Sequence, residues 1–183
     1  MSTLTQAKGI RRTVIAVVLF IALITLGFVA RIFQPTILAP AEMRANGTLI
    51  FESPRRVSDF SLVDHHGNEF SRDALQGSWT LIFFGFTFCP DICPTTMTEL
   101  NDFQGFIEGT EVEDQFKVVM VTVDPARDTQ EQLAVYVPFF NPEFLGVTGD
   151  FLNIGRFPSE LNTPFRQVPG GAENYQMDHS ANV

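Results

Sequence analysis

The run from Trp79 to Phe88 is apolar at nearly every position, and it leads directly into Cys89-Pro90-Asp91-Ile92-Cys93-Pro94. Continuous apolarity, as opposed to alternation, marks a strand covered on both faces, so this run is expected to be a central strand. Thr95 to Ile107 then places Met97, Leu100, Phe103, Phe106 and Ile107 at helical spacing, and Pro94 is tolerated in a first turn. Phe116 to Val123 is a second short apolar run, and Thr129 to Phe140 reads as a helix. Phe144 to Val147 reads as a third buried strand, with a further helix from about Phe151 that Pro158 interrupts. Strands alternating with helices require parallel pairing, so the class is α/β with a mainly parallel central sheet and flanking helices.

Upstream, Val57 to Val63 and Glu69-Phe70 flank Asp64-His65-His66-Gly67-Asn68, whose Gly and Asn belong in a turn. An amino-terminal β-hairpin is expected there, followed by one helical turn at Asp73 to Gln76 that ends at Gly77. Thr163 to Asn174 contains Pro164, Pro169, Gly170 and Gly171 and reads as an exposed loop.

The amino-terminal segment has a different character. Lys8, Arg11 and Arg12 precede the uncharged stretch Thr13 to Ala30, and Arg31 closes it. At about 1.5 Å per residue this stretch spans roughly 27 Å, close to a hydrocarbon core, so one transmembrane helix is expected. A cleaved signal peptide also begins with basic residues, but its apolar region is only about 7–15 residues long, and no small-x-small cleavage site follows here. Arg11-Arg12 alone is a weak match to a twin-arginine signal. Residues 1–12 thus read as a cytoplasmic basic segment, 13–30 as the span, 31–54 as a linker with Pro35, Pro40, Gly47 and Pro54, and 55–183 as the folded domain. All 21 acidic residues and eight of the 12 basic ones lie beyond Arg31, leaving 13 net negative charges there. Positive charge before the span places the acidic domain outside the cytoplasm, and its charge excludes nucleic acid as a partner.

Cys89 and Cys93 are the only cysteines among 183 residues. Three intervening residues put the thiols one helical turn apart, and first-turn N–H groups with the helix dipole favour a thiolate. A purely structural disulfide is the weaker reading, because closing a loop of about five residues constrains the unfolded chain little. Two thiols so placed are suited either to a soft metal or to thiol exchange as a redox pair. A metal needs a further ligand, and the sequence has three histidines. His65 and His66 sit in the expected turn and read as solvated, whereas His179 follows a Gly-rich segment able to fold over the strand ends. Two thiolates and one imidazole suit Cu(I), and with water also zinc, so ligand type alone leaves the metal open.

Three motifs decide between these metals by resemblance. Gly85-Phe86-Thr87-Phe88-Cys89-Pro90-Asp91-Ile92-Cys93-Pro94-Thr95, then Val123-Asp124-Pro125-Ala126-Arg127-Asp128-Thr129, then Asp178-His179-Ser180 resemble the Sco/SenC family of copper-binding assembly proteins over about residues 55–183. The resemblance implies a thioredoxin-like fold, a single membrane anchor, and copper held by Cys89, Cys93 and His179. It also implies a metallochaperone role in assembling the binuclear copper centre of cytochrome c oxidase subunit II, with a copper donor protein as a second partner. Asp124 lies in a family motif near the metal and has two open readings: support of the site or partner, or local capping of loop N–H groups. Asp128, before Thr129, reads as a helix cap. The family continues into further strands and a final helix after its Asp-His-Ser motif. The sequence ends at Val183, so the domain is expected to be truncated and His179 loosely held.

The competing function is a thiol-disulfide oxidoreductase that acts on partner cysteines through Cys89 and Cys93 without carrying copper. A peroxiredoxin-type peroxidase fits poorly, since no Pro-x-x-x-Thr-x-x-Cys pattern ends at Cys89. The short basic start lacks an Arg- and Ser-rich transit segment, which favours a bacterial inner membrane with the domain in the periplasm. The alternative is a mitochondrial inner membrane with the domain facing the intermembrane space.

Overall fold

The computed structural model describes residues 3–32, 38–51, 53–170 and 175–183. The chain separates into two compact units, Met1–Pro54 and Arg55–Val183. The first contains helix α1 (Thr3–Ile32), in which Ile10–Ile32 is, among the described residues, the one stretch long and apolar enough to cross a membrane. The linker expected at 31–54 also contains structure, because Pro40 at a first helical position and Glu42 accepting the Ala39 N–H at 2.9 Å start a short helix, α2 (Pro40–Ala45). Pro35 lies outside the described residues.

The second unit is built on a five-stranded sheet of order β2-β1-β5-β4-β3. Its strands are β1 (Ser61–Asp64), β2 (Glu69–Ser71), β3 (Trp79–Gly85), β4 (Phe116–Thr122) and β5 (Leu145–Thr148). β3, β4 and β5 run parallel, joined by α3 (Ile92–Ile107) and α4 (Gln130–Phe140), while β1 is antiparallel to both β2 and β5. The β1–β2 turn is tied by Asp64, whose carboxylate accepts the backbone N–H groups of His66 and Asn68 at 2.9 and 2.8 Å, and Gly67 supplies the positive φ of 89°.

β3 is an edge strand, not the central one its apolarity predicted. Its carboxyl half is nonetheless covered on both faces: Gly85 lies against Cys93 of α3, and Phe84 packs edge-on against Phe157 of α5 (Phe151–Glu160) at 5.5 Å. Trp79, at the other end, is 68% exposed. Unbroken apolarity therefore reports helices above and below a strand and says nothing of its hydrogen-bonded neighbours. α3 buries Cys93, Thr96, Met97, Leu100 and Ile107, while Phe106, expected on the same face, is 83% exposed. α5 runs through Pro158 because Asp150 caps its start, accepting from the Leu152 and Asn153 N–H groups, and Pro158 lies in the last turn.

Thr163 to Asn174 is more than a loop. Arg166–Val168 forms β6, which pairs antiparallel with β7 (Gln176–Asp178) in a separate two-stranded sheet. β7 turns Met177 into the core and leads straight into His179. Residues 171–174 lie outside the described set.

Candidate metal centre

β3 ends at Gly85, and the chain then turns through Phe86, Thr87 and Phe88 before α3 begins at Ile92. Cys89 is consequently in the loop and Cys93 in the first turn of the helix, so the thiols do not share one helical face. Asp91, at the start of α3, makes no capping hydrogen bond with its side chain. The Cys93 N–H, one of the helix's unpaired first-turn donors, instead lies 3.4 Å from the Cys89 sulfur, which places that sulfur at the positive end of α3. Gly85 is required here by space: a Cβ would lie 2.5 Å from the Phe83 ring and 3.1 Å from the Cys93 sulfur.

β7 delivers His179 to the same point. Its Nε2 lies 3.4 Å from Cys93 Sγ, and the donor atoms of Cys89, Cys93 and His179 all fall within 4.8 Å of one another. The ring does not project freely, since it meets Phe83 and Phe86 edge-on at 6.1 and 5.5 Å. His179 Nδ1 faces the Ser180 carbonyl at 3.0 Å, an acceptor only, so Nδ1 carries the hydrogen in the neutral ring. Nε2 keeps its lone pair and points at the thiols. Neither cysteine is in a disulfide. Two sulfurs and one imidazole nitrogen this close together fit one soft metal ion, Cu(I) above all.

The helix start does not lower the Cys93 thiol as expected. Cys93 is fully buried, and burial pushes its pKa far above the ordinary thiol value, outweighing the backbone contact from Phe86 that acts in the other direction. A metal entering here must displace that proton.

Asp128 and Asp124 have roles that sequence position did not reveal. Thr129, not Asp128, caps α4, its hydroxyl accepting the Gln132 N–H at 3.3 Å. Asp128 is fully buried and accepts three hydrogen bonds: Thr87 N–H at 3.0 Å, Thr87 Oγ1 at 2.6 Å and Thr122 Oγ1 at 2.6 Å. It thereby ties the cysteine loop to the end of β4. Burial raises its carboxyl pKa, opposed by the bonds from Thr122 and Thr87. The Asp124 carboxylate does not cap loop N–H groups, which go to its backbone carbonyl from Arg127 and Asp128 at 3.1 and 2.9 Å; the carboxylate oxygens instead take Arg127 Nε at 2.5 Å and the Tyr175 hydroxyl at 2.7 Å. The one signal in the sequence was the density of Thr, Asp and Arg at strand ends, without partners to assign them.

The other two histidines stay away from this cluster. His65, expected to be solvated, is 6% exposed, because the turn folds it under β5, where Nδ1 accepts the Gly146 N–H at 2.9 Å. His66 is exposed and lies 4.0 Å from it, ring to ring. Burial lowers the His65 pKa, and the neighbouring His66 adds to this. The unfolded chain then takes up a proton at about pH 6.5 before the folded one does, so this group lowers stability as pH falls through that value. Urea midpoints between pH 7.5 and pH 5 should fall more steeply for the wild type than for His65→Gln, which keeps an acceptor for Gly146 but does not titrate. Parallel slopes would contradict this. Comparison of the two isolates His65 from buried carboxyls such as Asp128, whose shift has the opposite sign.

Residues 51–183 match the SCO1/SenC family model. The chain belongs to the SCO1/SenC family. Over 135 residues it is 37% identical to a Stutzerimonas stutzeri protein described as copper-binding, an alignment covering 74% of this chain and 66% of that protein. It is 32% identical over 175 residues to a SCO2-like protein of Rickettsia conorii, covering 94% and 84% respectively. Among solved structures, ScoI of Bradyrhizobium japonicum with copper bound superposes with a TM-score of 0.63 at 33% identity, over 68% of this chain and 78% of that one. The sheet and helices of this SCO1/SenC chain are thus the thioredoxin-like fold of its relatives, and the clustered cysteines and histidine lie at the carboxyl end of β3.

Proposed function

We propose that this chain is a membrane-anchored copper metallochaperone that helps assemble the binuclear copper centre of cytochrome c oxidase subunit II. The observation that carries this reading is the convergence of Cys89, Cys93 and His179 within 4.8 Å, on a fold shared with a copper-bound relative. Copper is the cargo. Half-buried Cys89 gives an incoming donor protein access to the site, buried Cys93 gives up its proton as the metal arrives, and Nε2 of His179 closes the ligand set. Three donors from two separate segments make a site that binds softly enough to be passed on by ligand exchange, one donor at a time. α1 is the anchor, with Lys8, Arg11 and Arg12 on the cytoplasmic side and Arg55–Val183 in the periplasm of a bacterial cell.

Copper loading tests this. The reduced chain should retain about one Cu(I) per molecule against a competing chelator, with two sulfurs and one nitrogen in its X-ray absorption spectrum. Loss of all copper to a weak chelator would contradict the reading. Reporter fusions after Gln34, with mass analysis of the mature chain, test the anchor, and a product beginning after Ala30 would count against it.

Thiol exchange is favoured by one observation, the two free and adjacent thiols of which Cys89 is half-buried. His179→Ala separates the readings. Copper delivery fails in that variant if the chain is a metallochaperone, whereas exchange with a partner's cysteines proceeds largely unchanged if it is an oxidoreductase.

A further inference from the structure

We propose that Arg127 and Tyr175 are positioning residues that latch the His179 hairpin onto the cysteine loop before any metal arrives. Among the described residues the β6–β7 hairpin shares no backbone ladder with the five-stranded sheet, so something other than strand pairing has to hold it there. Tyr175 immediately precedes β7 and His179 immediately follows it. Fixing the tyrosine therefore limits where the histidine can lie.

The latch has three members. The Tyr175 hydroxyl donates to Asp124 Oδ1 at 2.7 Å, and Arg127 Nε donates to Asp124 Oδ2 at 2.5 Å. The Arg127 guanidinium then stacks over the Tyr175 ring at 3.8 Å from its centroid, closing the circuit. Both charged side chains are well covered, 17% exposed for Arg127 and 4% for Asp124, so water competes little for these contacts. Arg127 Nη2 is buried without a hydrogen-bond partner among the described residues. Its guanidinium is thus oriented by stacking and by Asp124, at the cost of leaving one donor unmade.

The same cation also faces the cysteine loop. It lies 4.8 Å from the centroid of Phe88, the residue before Cys89, and 5.8 Å from that of Phe86, whose ring meets His179 edge-on. One guanidinium accordingly touches the segment that carries Cys89 and the segment that carries His179. Lysine cannot replace it, because a point charge lacks the flat face that stacks against three rings.

The copper part of this inference rests on the reading of the site given above, whereas the latch itself is a property of the metal-free protein. Hydrogen–deuterium exchange of the reduced, metal-free full-length chain in detergent micelles reads it directly. In Tyr175→Phe and in Arg127→Lys, amides of 176–180 should exchange about tenfold faster while those of β3 and β4 keep their wild-type rates. Cu(I) affinity by chelator competition should fall about tenfold in each variant, but not fall further when the same changes are made in a His179→Ala background. Wild-type exchange at 176–180 in both variants overturns the latch, as does an equal affinity loss in the His179→Ala background, since the effect would then bypass the histidine. Tyr175→Phe, which loses only a hydroxyl, carries the test if Arg127→Lys also speeds exchange in β3 and β4. If the wild type binds no copper, the reading of the site fails, and the exchange arm still decides the latch.

Discussion

Cys93→Ser is expected to abolish tight Cu(I) binding, with an affinity loss greater than about a hundredfold, since even outer contacts of metal ligands are commonly worth 10–100-fold. The substitution exchanges a polarisable sulfur for a hard oxygen at a fully buried position 3.4 Å from His179 Nε2. A serine hydroxyl neither ionises nor matches Cu(I), and no other sulfur in the cluster besides that of Cys89 is available to replace it. Cys89→Ser should do the same, because a single thiolate and an imidazole leave the ion two-coordinate. The fold itself should be little disturbed, by about 1 kcal/mol for a buried hydroxyl with imperfect partners. Chelator competition beside thermal unfolding of the apo protein separates the two effects. Wild-type affinity in either variant would remove the shared site from consideration.

The two thiols, the helix that follows them and the order of strands and helices were legible in the sequence because each rests on a local pattern. An apolar run before Cys89, a 3.6-residue period after Pro94, and turn residues at Gly67 and Gly77 all act over fewer than ten positions. What could not be read depends on partners far apart in the chain. β3 lies at an edge because β4 and β5 pair beyond it, although its own residues are as apolar as those of an interior strand. His65 is buried by Gly146, 81 residues away, so its neighbours in a polar turn gave the wrong environment. Asp128 lies next to a helix start, where a carboxylate is normally a cap, but Thr129 takes that role and Asp128 turns inward to Thr87, 41 residues away. The hairpin carrying His179 was hidden by Pro164 and Pro169, which flank β6 without preventing three residues on each side from pairing. The ligand trio itself was reached by the resemblance of three motifs, since spacing alone does not bring residue 179 to residues 89 and 93.

Asp128→Ala is expected to destabilise the fold by about 3 kcal/mol, the scale for leaving buried donors unpaired. Three donors converge on this carboxylate, one backbone N–H and two hydroxyls. The hydroxyls of Thr87 and Thr122 can rotate in search of other acceptors, but the Thr87 N–H cannot, and no water reaches a side chain that is completely buried. Asp128→Asn should lose roughly half as much, because its one carbonyl oxygen can still accept from Thr87 N–H and Thr122 while its amide faces the Thr87 hydroxyl, which can turn to accept. The order wild type, Asn, Ala in urea unfolding of the full chain is therefore the expected result. The consequence for the metal site follows from connectivity: Thr87 lies two residues before Cys89, so freeing it loosens the loop that presents the outer thiol. Copper affinity should accordingly decline in the same order, while Asp150→Ala, which removes a cap from α5 far along the chain, lowers stability and leaves copper affinity unchanged. Asp128→Ala with wild-type stability would mean that the buried carboxylate is not the tie between β4 and the cysteine loop. Equal affinity losses in the Asp128 and Asp150 variants would mean that copper binding follows overall stability and not the position of Thr87.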